Sequence, residues 1–205
     1  MRKLVYYIGA SIDGYIAGPG GEVDFYPTGD EEQTAAYAAS VNARYPETVP
    51  TALRPLVGLA DAPNLRFDTV VMGHGTYRQA LAHGTPSPYA HLRQYVLSST
   101  LGAAPDPAVT VTADDPLTLV RDLKRQQGKD IWLCGGGRVA AALLPELDEL
   151  IVKSYPVVAG AGVPVFAGEF DPTRFRVTAR ETFANDVLMT WFEAAAAPEA
   201  PTPAG

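Results

Sequence analysis

Twice in this chain a short apolar run ends in glycine and passes at once into a helical pattern. Asp68-Thr69-Val70-Val71-Met72 leads into Gly73-His74-Gly75-Thr76, and Ile131-Trp132-Leu133-Cys134 leads into Gly135-Gly136-Gly137-Arg138. Strands that alternate with helices define an α/β domain with a mainly parallel sheet. Backbone N–H groups at a helix start point outward to meet an anion, and a phosphate comes close to backbone only where no Cβ intervenes. Two such turns suit a dinucleotide. Neither is a Rossmann fingerprint, whose third glycine follows three residues after the second, nor a P-loop, which needs Lys then Ser or Thr after its last glycine.

The remaining pattern extends the same alternation. Residues 2–10 form a near-continuous apolar run, the mark of a strand buried on both faces; further strands are expected at 95–97, 108–112 and 150–152. Residues 174–183 and 187–193 alternate about Ala184-Asn185-Asp186 and predict an antiparallel hairpin. The sheet is therefore mixed, mainly parallel and flanked by helices, with a C-terminal antiparallel hairpin. Asp30 with Gln33 has the spacing of a capping box and opens a helix running to about Tyr45. Asp115, followed by Pro116, caps another. Helices are also expected from about Tyr77 to Ala82 and from Arg138 to Leu144. Residues 46–66 hold Pro46, Pro50, Pro55 and Pro63 without a sustained period and read as an irregular or partly helical insertion. One domain is expected over 1–193, and a disordered tail over 194–205.

Composition narrows the function. The 205 residues suffice for one well-buried core, with 47% hydrophobic and 19% charged residues. A net charge of -7 disfavours nucleic acid and anionic membrane surfaces as partners. No stretch is long and apolar enough for a signal peptide or a membrane span, so a cytoplasmic setting is expected. The lone Cys134 excludes an intrachain disulfide, and with three histidines no metal site is expected.

Four segments in order resemble the dihydrofolate-reductase-like superfamily. They are Ser11-Ile12-Asp13-Gly14-Tyr15-Ile16-Ala17, Val71-Met72-Gly73-His74-Gly75-Thr76-Tyr77, Val96-Leu97-Ser98-Ser99 and Gly135-Gly136-Gly137-Arg138-Val139. The form of the first segment is closer to the riboflavin-biosynthesis reductases than to folate reductases. The resemblance implies that NADPH lies extended across the sheet. Gly9 and Ile16 would then border the nicotinamide, Gly73, His74, Gly75 and Thr76 the phosphates, and Ser98 and Ser99 the adenosine 2'-phosphate. Gly135, Gly136, Gly137, Arg138 and Val139 would hold the pyrophosphate, with the Gly135–Gly136 bond cis. His74 stands where the family commonly has arginine, and a neutral imidazole grips an anion less well, so NADH is also possible unless Arg138 or Arg93 compensates.

For catalysis, the resemblance places Asp30 near the acid of folate reductases, against its reading as a helix cap. Lys153, flanked by apolar residues in a strand facing the substrate in that family, reads as proton donor or anion binder, against a solvent-facing strand lysine. Asp13 reads as a group within its own loop or as a direct participant. Tyr7, Phe25 and Tyr155 form a candidate aromatic pocket, and Cys134 reads as structural. The expected activity is NADPH-dependent hydride transfer to a small conjugated or heterocyclic substrate of pterin, flavin-precursor or aminopyrimidine type. Alternatives are a ribosylaminopyrimidine reductase, a dihydrofolate reductase, or a non-catalytic nucleotide- or drug-binding protein. A homodimer is possible by the same resemblance.

Overall fold

The computed structural model describes residues 1–195. The first strand, β1 (Leu4–Ser11), holds the centre of an eight-stranded sheet because Tyr6 and Tyr7, pointing to opposite faces, are both buried. In chain order follow β2 (Tyr15–Ala17), α1 (Glu31–Arg44), β3 (Phe67–Gly73), α2 (His74–Ala82), β4 (Arg93–Leu97), β5 (Val109–Thr112), α3 (Pro116–Arg125), β6 (Asp130–Gly135), α4 (Gly137–Ala142), β7 (Glu149–Tyr155), β8 (Val163–Pro164), β9 (Phe175–Thr182) and β10 (Leu188–Ala194). The sheet runs β5-β4-β3-β6-β1-β7-β10-β9. All neighbours from β5 to β7 are parallel, and β10 is antiparallel to both β7 and β9. This is the expected mixed sheet with its terminal hairpin. Asp186 turns that hairpin with φ 61°, a left-handed conformation that Asp tolerates.

Two apolar cores cover the faces. Tyr7, Tyr45, Phe67, Met72, Trp132 and Ile151 pack on the face that also takes Val41 of α1. Leu4, Tyr6, Val71, Leu133 and Leu143 pack with Val120 and Leu123 of α3 on the other. The capping box at Asp30 and Gln33 is formed, and Asp115 accepts from the Thr118 N–H.

The structure changes some local readings and sharpens others. Helix α2 starts at His74, ahead of the expected Tyr77, because Gly73 in extended conformation is its N-cap and places the glycine turn inside the first helical turn. The pair β2–β8 is too short to leave a periodic signal. Residues 46–66 contain two 3₁₀ turns, Pro46–Thr48 and Arg54–Val57, and are tied down from within. Glu47 is fully buried, and its carboxylate accepts from the N–H groups of Leu65, Arg66 and Phe67 at 3.2, 2.7 and 2.6 Å. Those bonds fix the entry to β3, since a buried N–H left unpaired costs about 1–3 kcal/mol. At the C-terminus the strand extends through Ala194, and the Ala195 N–H donates to the Arg174 carbonyl at 3.0 Å. The rest of the expected tail, 196–205, lies outside the described residues.

Candidate active site

Parallel strands deliver their C-terminal ends to one edge, so β1, β3 and β6 bring Ser11, Gly73 and Gly135 together. A cavity of about 690 Å³ opens there, lined among others by Ile8, Ile16, Thr76, Gln79, Cys134 and Gly136. The glycines of the two turns divide by function. A Cβ on Gly137 would lie 2.2 Å from the Pro164 carbonyl oxygen, and one on Gly73 would lie 2.9 Å from the Val139 side chain, so packing accounts for both. Gly135 has φ 139°, which accounts for the third. Neither reason holds for Gly75 and Gly136. A Cβ on Gly75 meets nothing within 4 Å, one on Gly136 meets only Thr76 Oγ1 at 3.6 Å and Ile16 Cδ1 at 4.0 Å, and both residues line the cavity. Bare backbone faces open space. The Gly135–Gly136 peptide is cis.

One helix face of α2 supplies Gly75, Thr76, Arg78, Gln79 and Ala82 to the wall. Arg78, Gln79 and Cys134 were not singled out from sequence for this wall. The i, i+3, i+4, i+7 spacing from Gly75 was the available signal for the helical ones.

The β1–β2 loop is held in place over the edge. The Asp13 carboxylate accepts from Ser11 Oγ at 2.6 Å and from the Ala159 and Gly160 N–H groups at 3.0 and 2.7 Å. The Val165 N–H donates to the Gly14 carbonyl and the Ala167 N–H to that of Gly137, while Gln79 Nε2 donates to the Gly21 carbonyl at 2.7 Å. Asp13 therefore acts within its loop and beyond it, as the clamp between residues 11–17 and 157–167. Its bonds from Ser11, then from Ala159 and Gly160, pull its pKa down to about 2. A depressed carboxylate stabilises the fold above its unfolded value near 4 and loses that contribution as pH falls toward 2. The Tm difference between wild type and Asp13→Asn is thus expected to be constant above about pH 5 and to shrink between about pH 4 and 2; a pH-independent difference would reject the clamp.

A second cavity, of about 280 Å³, lies beyond the glycine turn and is lined by Ser98, Ser99, Thr112, Asp114, Arg138 and Val139 with neighbouring residues. Ser98 Oγ accepts the N–H groups of Thr100 and Leu101 and shapes the turn. His74 Nδ1 lies 3.2 Å from Thr100 Oγ1. Arg93 does not reach this place. It starts β4, at the opposite sheet edge, and donates to Gln126 at 2.7 Å.

On the β7 side, Lys153 pairs in register with Gly9 and Met189. It is half-buried, its Nζ stands 4.2 Å from the centre of the Tyr7 ring, and no carboxylate among the described residues forms a salt bridge with it. Burial lowers its pKa, partly offset by Tyr155 and Cys134. Burial likewise pushes the Cys134 thiol up to about 11, keeping it protonated and inert. Tyr7 lies under the ammonium, while Phe25 and Tyr155 flank Tyr26 in a stack with centroids 4.4 and 4.6 Å apart. Tyr26 donates its hydroxyl to the Tyr15 carbonyl at 3.0 Å and toward that of Gly9 at 3.3 Å. Asp30 is elsewhere: exposed, with its carboxylate on the Gln33 N–H.

This arrangement, a mainly parallel sheet whose edge carries a clamped first loop, two glycine turns and a bare-backbone cavity, defines the dihydrofolate-reductase-like fold. A family model described as the RibD C-terminal domain matches residues 2–189, and the chain belongs to that family. It is 27% identical over 195 residues to the uncharacterized protein YwjB of Bacillus subtilis (strain 168), covering 94% of this chain and 99% of that one. To YyaP of the same organism, also uncharacterized, it is 24% identical over 92% of this chain and 93% of the other. Among solved structures, a putative riboflavin biosynthesis protein from Shewanella sp. PV-4 superposes with a TM-score of 0.66 at 22% identity, covering 96% and 100% of the two chains. A diaminohydroxyphosphoribosylaminopyrimidine deaminase/5-amino-6-(5-phosphoribosylamino)uracil reductase from Thermotoga maritima gives a TM-score of 0.61 at 14% identity over 95% of this chain. There the chain spans 57% of the longer protein's length. Among the described residues no helix is long and apolar enough to cross a membrane.

Proposed function

We propose that this protein is a reductase that takes hydride from a reduced nicotinamide dinucleotide and gives it to a small flat heterocycle or conjugated imine or carbonyl compound. The observation that carries this reading is the pair Gly75 and Gly136, bare backbone in the lining of one cavity that neither packing nor dihedral angle requires. Such backbone fits a group that must approach within contact distance of the main chain, as a pyrophosphate does. Gly75 and Gly136 with Thr76 would hold the pyrophosphate, Ile8 and Ile16 would flank the nicotinamide, and the smaller cavity at Ser98 and Ser99 would take the adenosine end. The bound dinucleotide supplies the hydride.

The chain's own residues supply position and a proton. The stack of Phe25, Tyr26 and Tyr155 would give a ring an apolar wall, and the Asp13 clamp would keep the first loop over the edge and water out. Lys153, an unpaired ammonium whose acidity burial increases, would donate its proton to the nitrogen or oxygen that gains negative charge as hydride arrives, and then regain one from water. Asp30, committed to the α1 cap, is left out of this role. Riboflavin-type aminopyrimidines are the first substrates to try, on the strength of the family.

The test is titration of the full chain with NADPH and NADH, followed by screening aminopyrimidines, pterins and flavin precursors for loss of the 340 nm absorbance. Binding of at least one dinucleotide is expected. If neither binds, the reading fails and a non-reductase role of the same fold takes its place.

A further inference from the structure

On the sheet face that carries α4, a further groove of about 630 Å³ is floored by Leu144, Leu150, Phe166 and Phe175. The segment along its rim is fastened at both ends. The Ala167 N–H donates to the Gly137 carbonyl at 3.0 Å, and the Arg174 carbonyl accepts from the Ala195 N–H at 3.0 Å. A Cβ on Gly168 would lie 2.7 Å from that of Ala141, so the chain there runs close against α4. Between these points stands Phe170, 96% exposed, while its neighbours Glu169 and Asp171 line the groove. The ring does not fill the groove beside it. Four charged side chains surround the pair: Glu169, Asp171, Arg138 in the lining, and Arg174 between the lining residues Thr173 and Phe175. All four are exposed, and none forms a salt bridge among the described residues.

We infer that this face joins two copies of the chain about a two-fold axis, the Phe170 ring of each seated in the groove of the other. A two-fold contact sets the same patch against itself, so a patch that holds both a projecting ring and an apolar groove is satisfied twice at one interface. The charges are self-complementary in the same way: the carboxylates at 169 and 171 of one copy would meet the guanidinium groups of the second. A large exposed aromatic beside an apolar groove marks an interaction site, and buried aromatic anchors carry much of the binding energy at such contacts. Because the rim is already fastened to α4 and to Ala195, little of its freedom is lost on association. Arg138 also lines the smaller cavity, so Arg174 is the cation through which this face is tested.

The experiment is sedimentation equilibrium of the full chain at micromolar concentration for wild type, Phe170→Ser, Arg174→Glu and the double variant Glu169→Lys with Asp171→Lys. Wild type is expected at twice the 21.8 kDa of the chain. Phe170→Ser should weaken association at least about 100-fold, and folding is not at stake because the ring is almost wholly exposed in the single chain. Each charge variant alone should weaken association about tenfold, and mixing the two should restore a mixed dimer, since opposite charges then face one another. A monomeric wild type, open-ended growth in place of a closed dimer, or a dimer that Phe170→Ser leaves at wild-type strength would overturn the inference. The association does not depend on the proposed activity, so none of these results bears on the reductase reading.

Discussion

Lys153→Met is expected to cut turnover by about 10²–10⁴-fold, the range for removal of a general acid, while the protein stays at least as stable as wild type. Methionine keeps the length and apolar contacts of the lysine stem and removes an ammonium that sits half-buried without a carboxylate partner. The sign of the stability effect follows from linkage. Burial lowers the folded pKa below the unfolded value near 10.4, so charging Lys153 costs stability at neutral pH, and the cost fades as pH rises from the folded pKa toward that value and is gone above it. The variant's Tm advantage should therefore be largest at neutral pH and vanish in strong alkali. Lys153→Arg separates two roles. Arginine keeps the positive charge but cannot release a proton near neutrality, so it should rescue binding of an anionic substrate and not turnover. Full turnover in Lys153→Met, on a substrate found by the screen, would remove this residue from the mechanism.

Gly136→Val is expected to weaken dinucleotide binding at least about 100-fold, or roughly 2.7 kcal/mol, with a Tm within a few degrees of wild type. The branched side chain would project into the cavity, where only Thr76 and Ile16 stand nearby. Gly137→Ala is the contrasting case. Its Cβ would meet the Pro164 carbonyl oxygen, forcing residues 163–167 off α4 at a cost of about 1–3 kcal/mol. Calorimetry of binding and thermal melts on both variants separate a ligand-facing glycine from a packing glycine. Unchanged affinity in Gly136→Val would move the dinucleotide to another place.

Both predictions turn on distinctions that the sequence states only in part. Glycines at 73, 75, 135, 136 and 137 look alike in a motif, and the resemblance assigns all five to the cofactor. Three are explained by Val139, by Pro164 and by a positive φ; the other two are not. The capping reading of Asp30 was legible because a capping box is a local pattern, complete within four residues. The dual service of Asp13 was not, because its partners Ala159 and Gly160 are almost 150 residues away. Arg93 looked available for phosphate until β4 placed it at the N-terminal edge of a sheet whose site lies at the other.

Periodicity, caps and turn residues act between neighbours, and by themselves they determined the strands of the large sheet, the helices and the terminal hairpin, and marked the two glycine turns as one kind of feature. Only the tertiary structure decided which groups face one another. It set Lys153 over Tyr7, Cys134 in the cavity wall and Glu47 under β3. Each of those pairings joins segments far apart in the chain, and the energy that selects them comes from burial and unsatisfied backbone groups, which no local pattern records.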